Sequence, residues 1–128
     1  MQNGIDLMID TNILIYWLNG DENAASILEE NNIYFSIISE IEVKGHASLL
    51  NKAEQKKLDN ILQKFTRVEI NEQIKDTSIR YRINYKLKTP DAIIAASSRI
   101  LKIPLFTADK KLIAINDIVI IFFESKIS

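Results

Sequence analysis

The chain contains no cysteine and only one histidine, His46. The missing cysteines exclude disulfides, thiolate nucleophiles and cysteine-based zinc sites, and suit a reducing compartment. A Ser-His-Asp arrangement would have to be built on His46, and no Gly-x-Ser-x-Gly elbow is present to support one. Only two prolines and three glycines occur in 128 residues. With no Pro-, Gly- or Ser-rich linker, no repeat and no low-complexity tract, residues 1–128 read as one domain. That length is enough to bury a core without disulfides or a structural metal. No apolar run approaches the roughly 18 residues that mark a membrane span, and no charged-then-apolar leader is visible. A cytoplasmic protein with no membrane partner is therefore expected. A strong charge of one sign is also lacking: the net charge is −1 and the pI about 5.8. This argues against binding nucleic acid through bulk positive potential, but leaves room for phosphates held through metal ions and a local basic rim. What is present is ordinary for a globular protein, 47% hydrophobic and 26% charged residues.

The informative stretch is Ile5 to Ile15. An apolar run broken only by Asp6 meets three polar residues, Asp10, Thr11 and Asn12, and an apolar run then resumes through Leu18. A carboxylate between two segments that leave water is costly unless it is paired, hydrogen-bonded or bound to a cation. The pattern predicts a buried strand ending at Asp10, a turn at Thr11-Asn12 and a buried helix after it. Further on, Asp21 caps a helix to Glu30, Ile33 to Ile38 is a buried strand, and Ser39 opens a helix. Asn51 to Lys64 carries an apolar face at Leu58, Ile61, Leu62 and Phe65, the spacing of a helix. Thr66 to Ile70 alternates as an edge strand does, and Asn71 caps a helix reaching Lys86. Thr89-Pro90-Asp91 starts a helix to Leu101, with Thr89 as cap and Pro90 at the first helical position. Ile103 to Phe106 and Ile118 to Phe123 are the remaining strands, separated by at most a short helix from Asp109 to Ala114. Strands alternating with helices predict a three-layer α/β/α sandwich around a mainly parallel sheet of about five strands.

In such a fold Asp10, Glu42, Asp91 and Asp109 all sit just past strand ends or in the first turns of helices. These turns lie at one edge of a parallel sheet, so the four acids can converge. Three or four oxygen ligands without histidine or cysteine favour Mg²⁺ or Mn²⁺ over zinc. Each acid alone has a plainer explanation. Asp10 reads as a cap, Ser39-x-x-Glu42 as a capping box, Asp91 as an acid favoured by the helix dipole, and Thr-Ala-Asp-Lys-Lys as an exposed turn. Their equivalent placement in successive βα units is what joins them.

Four segments carry a resemblance: Ile-Asp-Thr-Asn-Ile-Leu-Ile at 9 to 15, Ile-Ser-Glu-Ile-Glu-Val-Lys-Gly at 38 to 45, Thr-Pro-Asp-Ala-Ile-Ile-Ala-Ala-Ser at 89 to 97, and Leu-Phe-Thr-Ala-Asp-Lys-Lys-Leu at 105 to 112. Together they look like the motif blocks of PIN-domain ribonucleases, and the bare layout is similar to VapC-type toxins of bacterial toxin–antitoxin pairs. The resemblance implies an endoribonuclease whose metal-binding acids are Asp10, Glu42, Asp91 and Asp109, with Asn12 and Thr107 shaping the site. It also implies Mg²⁺ or Mn²⁺ as cofactor, RNA as substrate, a homodimer, and an antitoxin partner that inserts Arg or Lys into the acidic pocket. In the fourth block the family's usual aromatic after the last acid is replaced by Leu112. Arg80, Arg82, Lys86 and Lys88 precede Asp91 and form either a rim that grips RNA phosphates or a solvated helix face.

A PIN nuclease of RNA processing would look the same, whereas the four intact acids argue against a catalytically silent PIN-like module binding RNA or protein. Among phosphotransfer folds, a haloacid-dehalogenase-type phosphatase wants a second Asp two positions after the first, where this chain has Asn12. A receiver domain wants an acidic pair that the end of the first strand lacks.

Overall fold

The structure, a computed structural model, describes residues 4–47 and 51–124. Five parallel strands form one sheet: β1 (Asp6–Ile9), β2 (Asn32–Ser36), β3 (Thr66–Val68), β4 (Leu105–Thr107) and β5 (Ile120–Phe122). Their order across the sheet is β3-β2-β1-β4-β5. The helices are α1 (Thr11–Leu18), α2 (Glu22–Glu30), α3 (Ile37–Ala47), α4 (Lys52–Lys64), α5 (Glu72–Tyr85) and α6 (Thr89–Leu101), with a 3-10 helix at Lys110–Ala114. The expected layered α/β architecture is therefore present, and every pairing in the sheet is parallel.

Alternation along β1 explains the layers. Leu7 and Ile9 point into one core with Ile13, Leu14, Leu28, Val43 and Leu58. Met8 points into the other, with Ile74, Tyr81, Ile94 and Leu105. A strand apolar on both faces must lie inside the sheet with helices above and below, and β1 is the central strand. Outermost, β3 takes the edge position expected of it, but its three residues do not alternate: Thr66 and Arg67 are both exposed and only Val68 is buried, because the strand's outer edge is uncovered.

Several local expectations shift, each for an identifiable reason. No turn separates β1 from α1. Asp10 is extended (φ −75°, ψ 152°) and is itself the cap, so the helix begins at Thr11. β2 stops at Ser36 and α3 starts at Ile37, because the Ser36 hydroxyl accepts the Ile38 N–H at 3.0 Å and does the capping expected of Ser39. Lys88 occupies the cap position of α6, one residue before Thr89, and makes no side-chain cap bond. The strand expected at Ile103–Phe106 runs from Leu105 to Thr107, and the last strand is shorter than Ile118–Phe123. Asp21 and Asn71 cap α2 and α5 as expected, and Asn51, expected as the start of its helix, is the cap of α4; each side chain accepts a backbone N–H.

Candidate active site

The strand order reverses direction at β1. The chain moves from β1 out through β2 to β3, then returns to lay β4 on the other side of β1. Such a switch point opens a crevice at the carboxyl ends of the strands. Ile9 is in register with Phe106, and the Asp10 N–H donates to the Phe106 carbonyl at 3.1 Å. The next residues, Asp10 and Thr107, therefore meet side by side although 97 positions separate them.

Asp10 is buried, 4% exposed, with a donor on each oxygen. Oδ2 accepts from the Thr107 hydroxyl at 2.6 Å, and Oδ1 accepts the Asn12 N–H at 3.2 Å. Fully buried Thr107 also accepts the Asp109 N–H at 3.0 Å, so one hydroxyl ties the first acid to the backbone of the fourth. Asp109 caps the 3-10 helix by accepting the Lys111 N–H at 2.9 Å. Both acids thus cap helix starts just past the ends of adjacent strands.

Glu42 lies in the second turn of α3, not its first, and takes no part in a capping box. Its Oε1 is 2.7 Å from the Thr11 hydroxyl, which is also hydrogen-bonded to Ser39 Oγ at 2.8 Å. Thr11 and Ser39 lie outside the set of four acids, Asn12 and Thr107 expected from the sequence. The available signal was spacing: Ser39 and Glu42, three apart on a helix, share a face, so a buried serine there points where the acid points. Asp91 stands in the first turn of α6, half-buried, and among the described residues no hydrogen-bond donor reaches its carboxylate.

The acids feel one another. The Asp91 carboxyl is pushed above its ordinary value by burial first, then by Asp10, Asp109 and Glu42, with Lys111 pulling the other way. Asp10 is likewise raised, chiefly by burial, against the Thr107 and Asn12 hydrogen bonds, with Asp109 and Glu42 adding repulsion. At one sheet edge Asp10 and Asp91 therefore each lie within electrostatic reach of the other three acids. Among the described residues, no three His, Cys, Asp or Glu side chains are drawn together closely enough to hold one ion as they stand. Mutual repulsion of like charges favours that separation. The donor set nonetheless fits a hard divalent cation. All four groups offer carboxylate oxygens, and among the described residues no hydrogen bond competes for the Asp91 carboxylate.

The basic residues before Asp91 divide into two kinds. Arg80 pairs with Asp117 at 3.1 Å and lies over the Tyr81 ring at 5.0 Å, while the Arg82 Nε donates to the Leu87 carbonyl at 3.3 Å. Lys86 and Lys88 are exposed at the junction of α5 and α6. Asn12 contributes its backbone N–H to Asp10, and its side chain is exposed. His46 is exposed in the last turn of α3. Tyr16 stacks on Phe123 at 5.5 Å, and Trp17 packs on the first core with the Lys57 ammonium 4.7 Å from its ring centre, so both serve packing.

Comparison with known proteins agrees with this architecture. A toxin–antitoxin complex from Klebsiella pneumoniae contains a chain that is 31% identical and superposes with a TM-score of 0.77 over 90% of this chain and 95% of the other. VapBC2 from Rickettsia felis, bound to a promoter DNA fragment, gives 20% identity and a TM-score of 0.80 over 93% and 99%. DNA-bound VapBC from Salmonella typhimurium gives 17% identity and a TM-score of 0.80 over 92% and 98%. At their identities the last two speak to the fold alone. No curated protein sequence matches the chain. The family model for the PIN domain matches residues 7–118, from within β1 to the approach to β5, and on that match the chain belongs to the PIN domain family.

Proposed function

We propose that the chain is a Mg²⁺- or Mn²⁺-dependent endoribonuclease that hydrolyses RNA phosphodiester bonds and acts in the cytoplasm as the toxin of a type II toxin–antitoxin pair. The observation that supports this reading most is the gathering of Asp10, Glu42, Asp91 and Asp109 at one sheet edge, where, among the described residues, no hydrogen-bond donor reaches the Asp91 carboxylate. Such a set is unfavourable unless a cation offsets it. The toxin assignment draws on membership of the PIN family and on the Klebsiella pneumoniae toxin–antitoxin complex as a similar structure.

Asp10 and Asp91 are the main ligands in this reading. Asp10 is held in direction by Thr107 and the Asn12 N–H, and Asp91 is presented by the first turn of α6. Glu42, aimed by Thr11, is a ligand or orients the attacking water, and Asp109 serves a second ion where two are bound. Bound divalent ions supply Lewis acidity, a lowered pKa for bound water and a counter-charge for the transferring phosphoryl group. Lys86 and Lys88 grip flanking phosphates as point charges. Arg80 and Arg82, engaged with Asp117 and the Leu87 carbonyl, hold the shape of that rim. An antitoxin that covers the acidic edge with a basic side chain, and a homodimeric toxin, complete the reading.

The test is cleavage of labelled RNA by the purified chain with Mg²⁺ or with EDTA, beside a folded Asp10→Asn variant. Cleavage should need the metal and fall in the variant by at least about 100-fold, the scale lost with one strong electrostatic contact to a transition state. Full activity in folded Asp10→Asn, or undiminished cleavage in EDTA, would reject the assignment.

A further inference from the structure

We infer that Thr11, itself fixed by Ser39, is the positioning residue for Glu42, and that this pair of hydroxyls sets how tightly the acidic edge holds a divalent cation. The inference rests on the metal-nuclease reading and adds two residues to it.

Glu42 is exposed on α3, and an exposed glutamate samples many rotamers unless something holds it. Among the described residues the Thr11 hydroxyl, 2.7 Å from Oε1, is its only hydrogen-bond partner. Asp10 and Asp109 differ, since each accepts at least one backbone N–H and is directed by the main chain. Thr11 is well placed to be a fixed point. It is the first residue of α1, adjacent to Asp10, and only 6% exposed. Its branched Cβ restricts χ1. Ser39, fully buried in α3, bonds the same hydroxyl at 2.8 Å and so limits its rotation. A hydroxyl has one hydrogen, and a carboxylate only accepts. With Ser39 donating to Thr11 and Thr11 donating to Glu42, each hydrogen has one destination and the chain of bonds has one sense. The two hydroxyls thus link α1, which carries Asp10 at its cap, to α3, which carries Glu42. They hold the distance between two proposed ligands. Partners behind a metal ligand act in this way, and losing one costs about 10- to 100-fold in metal affinity.

The experiment measures Mn²⁺ affinity by the electron paramagnetic resonance of free Mn²⁺, on the full chain carrying Thr11→Val, Thr11→Ser, Glu42→Gln or Thr11→Val with Glu42→Gln. Circular dichroism establishes that each variant is folded. Thr11→Val keeps shape and loses the hydroxyl, and should weaken Mn²⁺ binding by about tenfold, the lower end of the range for such partners. Thr11→Ser should restore binding to near the wild-type value. In the Glu42→Gln background Thr11→Val should change nothing further, since a residue that acts through another has no effect without it. Should Thr11→Val unfold the chain, Ser39→Ala, which leaves the Thr11–Glu42 bond in place but frees the hydroxyl to rotate, should weaken Mn²⁺ binding in the same sense. Wild-type affinity in folded Thr11→Val, or an equal loss with and without Glu42, overturns the inference while leaving the nuclease reading intact. A wild-type chain that binds no Mn²⁺ and cleaves no RNA overturns both.

Discussion

Ionised Asp10 and Asp91 work against the folded state. Burial is the first cause in each case, and neighbouring carboxylates add to it. Their folded values lie above the ordinary 3.8, so between the unfolded and folded values the native chain binds more protons than the unfolded one. Stability therefore falls as pH rises through that window, and the cost stays constant above it. Glu40 and Asp117 have the opposite sign. Lys44 and Arg67 lower Glu40 despite partial burial, and for Asp117 burial raises the value but bonds from Tyr81 and Arg80 lower it further. Their contribution is present above the unfolded value and is lost as pH falls through the folded one. In EDTA the chain should be most stable on the acid side of neutrality. Asp10→Asn should raise the melting temperature near neutral pH, and the gain should vanish below the ordinary carboxylate range. Thermal melts across pH check this, and a variant that melts lower than wild type near neutrality would contradict the cause assigned to Asp10. Glu42 owes its aim to a threonine and a serine that look like ordinary helix-start residues in the sequence. Hydroxyl identity carries no direction until the backbone is placed.

Helix α6 is the element that brings Asp91 to the sheet. Ala92 through Ser98 are buried without a break; the Ser97 hydroxyl folds back to the Ile93 carbonyl at 2.8 Å and the Ser98 hydroxyl donates to the Ile103 carbonyl just past the helix, so both buried hydroxyls are satisfied by the main chain. Small side chains let the helix approach β1 and β2 closely while α5 packs on its other side. Ala95→Leu forces extra volume into that contact and should cost about 1–3 kcal/mol. A lower urea midpoint with an unchanged slope would show it, and unchanged stability would mean the approach is looser than the burial indicates. The same helix shows what was readable at this scale. Its length and small-residue face follow from the sequence, whereas its cap moved to Lys88, because Thr89 and its neighbours leave the first helical residue ambiguous until dihedral angles decide. The shift of α3's cap from Ser39 to Ser36 has the same origin: two serines three apart offer equivalent capping groups.

For the molecule as a whole, a divalent cation bound only at the proposed acidic site should stabilise the fold by mass action. At about 100 times its dissociation constant, Mn²⁺ should add about 2.7 kcal/mol. The rise in melting temperature should disappear in Asp91→Asn, whose carboxylate lies half-buried at the helix start. A rise of equal size in wild type and Asp91→Asn would place the ion elsewhere.

The sequence by itself determined the alternation of strands and helices, and hence parallel pairing, because short strands separated by helices have no other economical connection. It also determined which acids follow strands, since Asp10 and Asp109 each interrupt or end an apolar run. Strand order was left to the tertiary structure. Nothing local distinguishes β4 beside β1 from β4 beside β3, because order depends on which faces of α5 and α6 pack where, and that is settled by contacts between residues far apart in the chain. With β4 against β1, Thr107 reaches Asp10 and the two side chains bond across the ends of adjacent strands. The Ser39–Thr11–Glu42 link arises in the same way, as a contact between two helices brought together by the folding of β1 beside β2.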